Sequence, residues 1–440
     1  MSKNKFLDLE NQYTWIERRK ALLPAIEVVG FVLVFIMKYI VRKQYLDRLI
    51  GLKNTPDIKI ITGIRRSGKS ELMKAYIRYI LDNEPSANII YVDFFNLDFE
   101  DLKDYKKLHS YIKARRIDEI TNYVFIDEVQ LCPQFELAVN SLHNSGDFDI
   151  YITGSNAFLL SSDLATLFTG RFIEIPIYPF SFSEFCTYYS DEQDIEHLLE
   201  RYSYQGGLAG SYIYGKEQDR ITYLKDVYNT IVKRDLVDKY RIVDLTVLNH
   251  LTEFLMDNIS NLTSPNKISS LITANIIPAN HNTIGKYIKY LCNAFFFYNV
   301  RRYDIKGKKY LESTNKYYLC DLGFRYAILG NRNLDFGRIY ENMVCIELFR
   351  RGYEVYVGKL YQKEIDFVAI KGNEKIYIQV SDNITESTTF NREITPLLQI
   401  KDAYPKMLIA RTRHPEYQYE GIKIINITEW LLDVKSKIKV

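Results

Sequence analysis

The feature that most constrains this chain is GIRRSGKS at positions 63–70. It lies between an apolar run, IKIIT (58–62), and a run with helical spacing, ELMKAYIRYIL (71–81). Strand, glycine loop and helix in that order make a phosphate-binding P-loop. Gly63 and Gly68 let the backbone turn tightly enough to aim N–H groups inward. The helix starting near Lys69 adds its positive end. Lys69 can reach the β- and γ-phosphates, and Ser70 offers a hydroxyl to Mg2+. The candidate nucleotide contacts are Gly63, Ile64, Arg65, Arg66, Ser67, Gly68, Lys69, Ser70 and Glu71.

NYVFIDEVQ (122–130) gives a second element, an apolar strand ending in two carboxylates. Parallel strands present their carboxyl ends to ligand, so Asp127 would face the metal and Glu128 the attacking water. NIIYVDF (88–94) and DIYITG (149–154) are further strands. Residues 102–120 and 135–143 read as largely helical. Just past the last strand, Asn156, ahead of Ser155, could sense the γ-phosphate. Ser and Asn are equally the usual residues of a helix cap. Arg171, which follows a glycine in TGRFIEIPIYPFSFSEF (169–185) and opens an apolar strand, is a candidate arginine finger or a surface ion-pair partner.

Composition sets outer limits. The chain has 440 residues, with 47% hydrophobic residues and a net charge of +3. That suits several globular domains and neither demands nor excludes nucleic acid. Five scattered cysteines without CxxC spacing read as reduced thiols, and the expected location is cytoplasmic. Val28–Met37 is apolar but bounded by Glu27 and Lys38, too short to span a bilayer. Residues 1–36 read as an upstream extension, with membrane association the alternative.

GIRRSGKS, FIDEVQ, ITGSNAFLL, TGRFIEIPIYPFSFSEF and YQGGLA, in this order, resemble one group of prokaryotic AAA-superfamily ATPases with a C-terminal domain of unknown function. The resemblance runs from about Lys43 to the C-terminus. It implies an α/β P-loop NTPase core with a parallel sheet, then a helical lid, a winged helix and a small restriction-endonuclease-like α/β domain. Lys69, Ser70, Asp127 and Glu128 would carry the nucleotide chemistry. The expected segments are an N-terminal extension (1–42), the ATPase core (43–185), the lid (186–244), the winged helix (245–325) and the nuclease-like end (326–440).

The residues support that division. Residues 186–240 read as helical, and YQGGLAG (204–210) reads as a hinge or turn. Lys225, Lys233 and Arg234 face solvent or nucleotide. From Leu245 to Leu319 the pattern is helix, helix, helix, hairpin, with Asn282–Thr283 capping the third helix. Lys286 and Lys289 on that helix, and Arg301, Arg302, Lys306, Lys308 and Lys309 on the hairpin, are candidate nucleic-acid contacts. The alternative is a protein-contact element whose lysines merely solvate an edge hairpin. Glu341, Asp366 and the pair Gln379 and Ser381 fall where a nuclease carries its acids and an E-x-K. Gln and Ser remove one charge of each sign, so a retained fold without cleavage is expected. The function read from this sequence is Mg2+-dependent ATP hydrolysis that drives conformational change in the C-terminal domains, with DNA as one partner. A slow ATP-gated switch that docks DNA or protein is the alternative.

Overall fold

A computed structural model describes residues 40–155, 168, 170–275, 277–332 and 334–432. Helix α1 (Lys43–Gly51) leads into β1 (Ile58–Thr62), buried at every position. There follow α2 (Lys69–Asn83), β2 (Asn88–Asp93), α3 (Tyr105–Lys113), β3 (Asn122–Asp127), α4 (Phe135–Ser145), β4 (Phe148–Gly154) and β5 (Phe172–Pro176). The strands form one sheet in the order β2-β3-β4-β1-β5, and every neighbouring pair is parallel. A parallel sheet must be covered on both faces. Val124 and Ile126 of β3 join Ile60 and Ile152 in the layer under α3 and α4, while Tyr123 and Phe125 join Ile61 and Tyr151 under α1 and α2. The stretch 102–120 is less helical than expected. Asp104 accepts from the backbone N–H groups of Lys106 and Lys107, which caps α3 and confines the α-helix to Tyr105–Lys113.

Next come α5 (Phe182–Tyr188), α6 (Ile195–Gln205) and α7 (Glu217–Thr230). α7 continues as a π-helical segment, Ile231–Asp238. The glycines of YQGGLAG form a pinned turn instead of a hinge. The Asp321 carboxylate accepts from the N–H of Gly207 at 2.5 Å and of Gly323 at 2.8 Å. Gly206 has φ 70°, and a Cβ there would meet Asp321 Oδ1 at 1.9 Å.

Helices α8 (Leu245–Asp257), α9 (Pro265–Asn275) and α10 (His281–Asn293) precede a hairpin of β6 (Phe297–Asp304) and β7 (Lys309–Leu319). Asn280, not Asn282, caps α10 by accepting from the Asn282 N–H. Then follow α11 (Leu322–Leu329), α12 (Phe336–Arg350), β8 (Glu354–Leu360), β9 (Lys363–Lys371), β10 (Glu374–Ser381), α13 (Ser387–Leu398), β11 (Lys406–Ala410), β12 (Tyr417–Tyr419), β13 (Ile422–Asn426) and α14 (Ile427–Leu432). A mixed sheet runs β12-β13-β11-β10-β9-β8-β6-β7. The hairpin therefore does not stand free as a separate wing, because β6 pairs with β8 as well as β7. The division drawn between 325 and 326 falls inside α11. One apolar core joins Leu199, Leu251, Phe296, Val344 and Leu431 across the three expected C-terminal segments.

Candidate nucleotide site and a sealed carboxylate cluster

The loop after β1 closes around Lys69. Gly63 (φ 145°) and Gly68 (φ 96°) take backbone angles that side chains disfavour. A Cβ on Gly63 would lie 2.1 Å from the Ile177 carbonyl oxygen. Lys69 is buried, and its ammonium donates to the carbonyls of Gly63 at 2.9 Å and Ile64 at 3.1 Å. Burial lowers its pKa below the ordinary lysine value, opposed by the charges of Glu128 and Asp127. The Ser67 hydroxyl is buried without a hydrogen-bond partner among the described residues. A buried ammonium on carbonyls, an orphan hydroxyl and the start of α2 together fit a phosphate chain.

Strand register supplies the other half. Ile126 lies beside Ile152, so the next residues along, Asp127 and Thr153, meet at the carboxyl edge of the sheet. The Thr153 hydroxyl donates to Asp127 and accepts from the Glu128 N–H at 2.9 Å. Glu128 is left-handed at φ 52°, an uncommon backbone for a non-glycine residue. Its Oε1 lies 3.9 Å from the Lys69 ammonium. Its Oε2 accepts from the Ser155 hydroxyl at 3.2 Å and from the Gln130 amide. Ser155 thus reaches the carboxylate, whereas Asn156 lies outside the described residues.

Other candidates are placed differently. The Ile64 side chain belongs to the apolar core. Arg66 is exposed, and Glu71 turns to Lys74 at 3.1 Å. Arg65 turns to the π-helical segment, gripping Asp235 through two hydrogen bonds of 2.8 and 3.0 Å. Lys225, Lys233 and Arg234 on the same helical stretch are exposed. Arg171 cannot act as a finger within its own chain. Its carbonyl accepts from the Ile58 N–H, at the amino end of β1, and its guanidinium bonds Asn144. That end lies about 13 Å of strand from the loop that follows Thr62.

Arg42, assigned above to the N-terminal extension, is integral to the folded unit. It is buried, donates to the carbonyl of Ser67 at 3.0 Å and forks onto Glu184 at 2.7 and 2.9 Å. Burial would raise Glu184, but Arg42 holds it below the ordinary carboxylate value. Arg350 of α12 lies 3.9 Å from the same carboxylate. A chain of charge therefore runs from the P-loop to the C-terminal half.

The second acidic site is closed. Lys316 of β7 lies 2.8 Å from Glu341, 2.7 Å from Glu364 and 3.7 Å from Asp366. Burial would lower the Lys316 ammonium, but the three carboxylates raise it well above the lysine range. Burial raises Glu341, and burial with the Glu341 charge raises Asp366. Gln379 is not available as a ligand, since its carbonyl oxygen accepts from the Asp366 N–H at 3.3 Å and its amide bonds Glu393 at 2.9 Å. The Ser381 hydroxyl donates to the Asn383 carbonyl at 2.9 Å. A lysine ammonium fills the cationic role, and the residues do not fit a nuclease metal site. No His, Cys, Asp or Glu grouping suited to a metal ion occurs among the described residues.

Lys286 and Lys289 are exposed on α10, as are Arg301, Lys306, Lys308 and Lys309 on the hairpin. Arg302 is half-buried and donates to Thr314 at 3.2 Å. All five cysteines are free thiols. No helix among the described residues is long and apolar enough to cross a membrane.

A five-stranded parallel sheet carrying this loop and carboxylate pair at its edge defines a P-loop ATPase domain of the AAA class. Residues 55–186 match the family described as an AAA domain, and 196–335 and 336–430 match two domains of unknown function. An uncharacterized protein of Haemophilus influenzae is 39% identical over 396 residues, covering 89% of this chain and 98% of the relative. One from Methanocaldococcus jannaschii is 29% identical over 409 residues, 88% of each chain. The chain belongs to this family, in which an AAA domain precedes two domains of unknown function. Among solved structures, Aeropyrum pernix ORC1 in complex with DNA superposes with a TM-score of 0.30 at 12% identity, over 76% of this chain and 97% of that one.

Proposed function

We propose that the protein binds ATP with Mg2+ and hydrolyses it, and that the cycle moves the C-terminal half. The observation that carries this is the convergence of Lys69, Asp127 and Glu128 at one sheet edge, with Glu128 Oε1 3.9 Å from the Lys69 ammonium. Lys69 would exchange its loop carbonyls for the β- and γ-phosphates. Ser70 and Asp127 offer the oxygen donors that Mg2+ prefers, and the ion would neutralise charge on the phosphates. Glu128 would take the proton of the attacking water. Thr153, Ser155 and Gln130 hold the two carboxylates in place. Arg65–Asp235 and Arg42–Glu184 tie the loop to the helical and C-terminal segments, so a change in the loop has a path outward.

A nucleic-acid partner is the finer part of this reading. It is favoured by the exposed cations of α10 and the hairpin, none of which forms an ion pair with a described residue. Cleavage is not proposed, because Lys316 occupies the acidic cluster. The test is ATP turnover by the full chain with and without Mg2+ and DNA, beside Lys69→Ala and Glu128→Gln. Turnover lost in both variants supports the reading. Turnover retained in both would overturn it.

A further inference from the structure

The outer hairpin of the mixed sheet is unusually open in charge. Arg301, Lys306, Lys308 and Lys309 are exposed and make no ion pair with a described residue, whereas Lys316 and Lys423 of the same sheet are paired. The carboxylate in the turn forms no ion pair with them; Asp304 Oδ1 accepts from the backbone N–H of Lys306 at 3.2 Å and of Gly307 at 3.1 Å. A cluster of exposed cations attracts a polyanion.

Two tyrosines stand among these cations. Tyr310 on β7 is 51% exposed, and Tyr361 in the β8–β9 turn is 60% exposed. Register places them at one end of the sheet, with Asp304 beside Lys309 and Lys359. The Arg301 guanidinium lies 5.3 Å from the Tyr310 ring centre, and the Lys306 ammonium 4.8 Å from that of Tyr361. Tyr310 is braced from below by Tyr356 at 5.1 Å and Tyr303 at 5.7 Å. The ring is fixed before any ligand arrives, which lowers the entropy cost of stacking on it.

We propose that this end of the sheet binds single-stranded nucleic acid, with bases stacking on Tyr310 and Tyr361 and phosphates held by Arg301, Lys306, Lys308 and Lys309. The inference rests on the nucleic-acid reading above and deepens it. Alternating aromatic rings and cations are what unstacked bases on a phosphate chain require. A duplex keeps its base faces stacked inside, so it would meet the cations and leave the rings unused. Because β6 is paired on both sides, the hairpin is also held in the sheet and not free to swing into a groove.

The test is fluorescence anisotropy of the full chain with a labelled 20-nucleotide oligo(dT) and a 20-base-pair duplex, over a salt series. The expected result is tighter binding of the single strand. Tyr310→Ala and Tyr361→Ala should each weaken it roughly 5- to 150-fold, the equivalent of one lost base stack, while Tyr361→Phe restores it. Lys306→Glu with Lys308→Glu should weaken both ligands and flatten the salt dependence. If charge reversal weakens binding but the tyrosine variants do not, the nucleic-acid reading stands and the stacking platform falls. If neither oligonucleotide binds while ATP turnover persists, both fall, and an acidic protein surface becomes the ligand to test.

Discussion

The molecule contains two lysine–carboxylate sites, and they are built on opposite principles. At the sheet edge Lys69 bonds main-chain carbonyls, with its nearest ion-pair carboxylate 3.9 Å away. In the mixed sheet Lys316 meets three carboxylates, two of them within 2.8 Å. Lys69 is depressed and Lys316 is raised. Both ammonium groups are buried, so burial does not explain the difference. The distance to fixed negative charge does. A lysine that has not been neutralised is available to a phosphate, whereas one saturated by internal carboxylates is a structural ion.

The contrast can be broken in several ways. The largest effect should come from Glu128→Gln, which should cut turnover about 10²- to 10⁴-fold with nucleotide binding retained. Glu341→Gln should leave turnover unchanged, and an equal loss in both would erase the distinction. Next, Lys316→Met leaves the buried Glu341 and Asp366 and the half-exposed Glu364 without their cation and should cost about 3–5 kcal/mol in denaturant unfolding. Lys69→Met should cost far less while abolishing nucleotide binding. Similar unfolding midpoints for the two variants would contradict the sealed reading of Lys316.

Smaller effects sharpen the picture. Asp235→Asn removes the bidentate partner of Arg65, at 10% side-chain exposure. It should cost about 1.5–3 kcal/mol and uncouple nucleotide binding from protease protection of the C-terminal half. Gln130→Ala loosens Glu128 and should lower kcat on the order of tenfold, one hydrogen bond to a charged group, with KM little changed. The smallest effect is on pH dependence. Glu341 and Asp366 are raised in the folded state, so their contribution is complete below the free carboxylate range of about 4 and is lost as pH rises through the raised values. Asp366→Asn should therefore flatten the decline of the unfolding midpoint above that range. A steeper decline would place the charge elsewhere.

The sequence by itself determined the nucleotide half. Gly63, Gly68, Lys69 and Ser70 are contiguous, and their chemistry follows from a loop that must turn at fixed positions. Asp127 and Glu128 end a strand whose parallel register puts them at the same edge. These constraints are local, so they are legible along the chain. Thr153 lies within β4, Ser155 just beyond it and Gln130 two residues after Glu128, but only the fold shows which carboxylates they hold. The rest was decided by tertiary structure. Arg42 and Ser67, Arg65 and Asp235, Gly206 and Asp321, and Lys316 with Glu341 meet across 25, 170, 115 and 25 positions of chain. No periodicity or spacing records such pairs, because each depends on how sheets and helices stack. The missing lysine of the carboxylate cluster was the clearest case. The E-x-K spacing places it two residues after Gln379, at Ser381, whereas the fold supplies it from Lys316 of β7, since a buried cluster takes its cation from the strand that faces it.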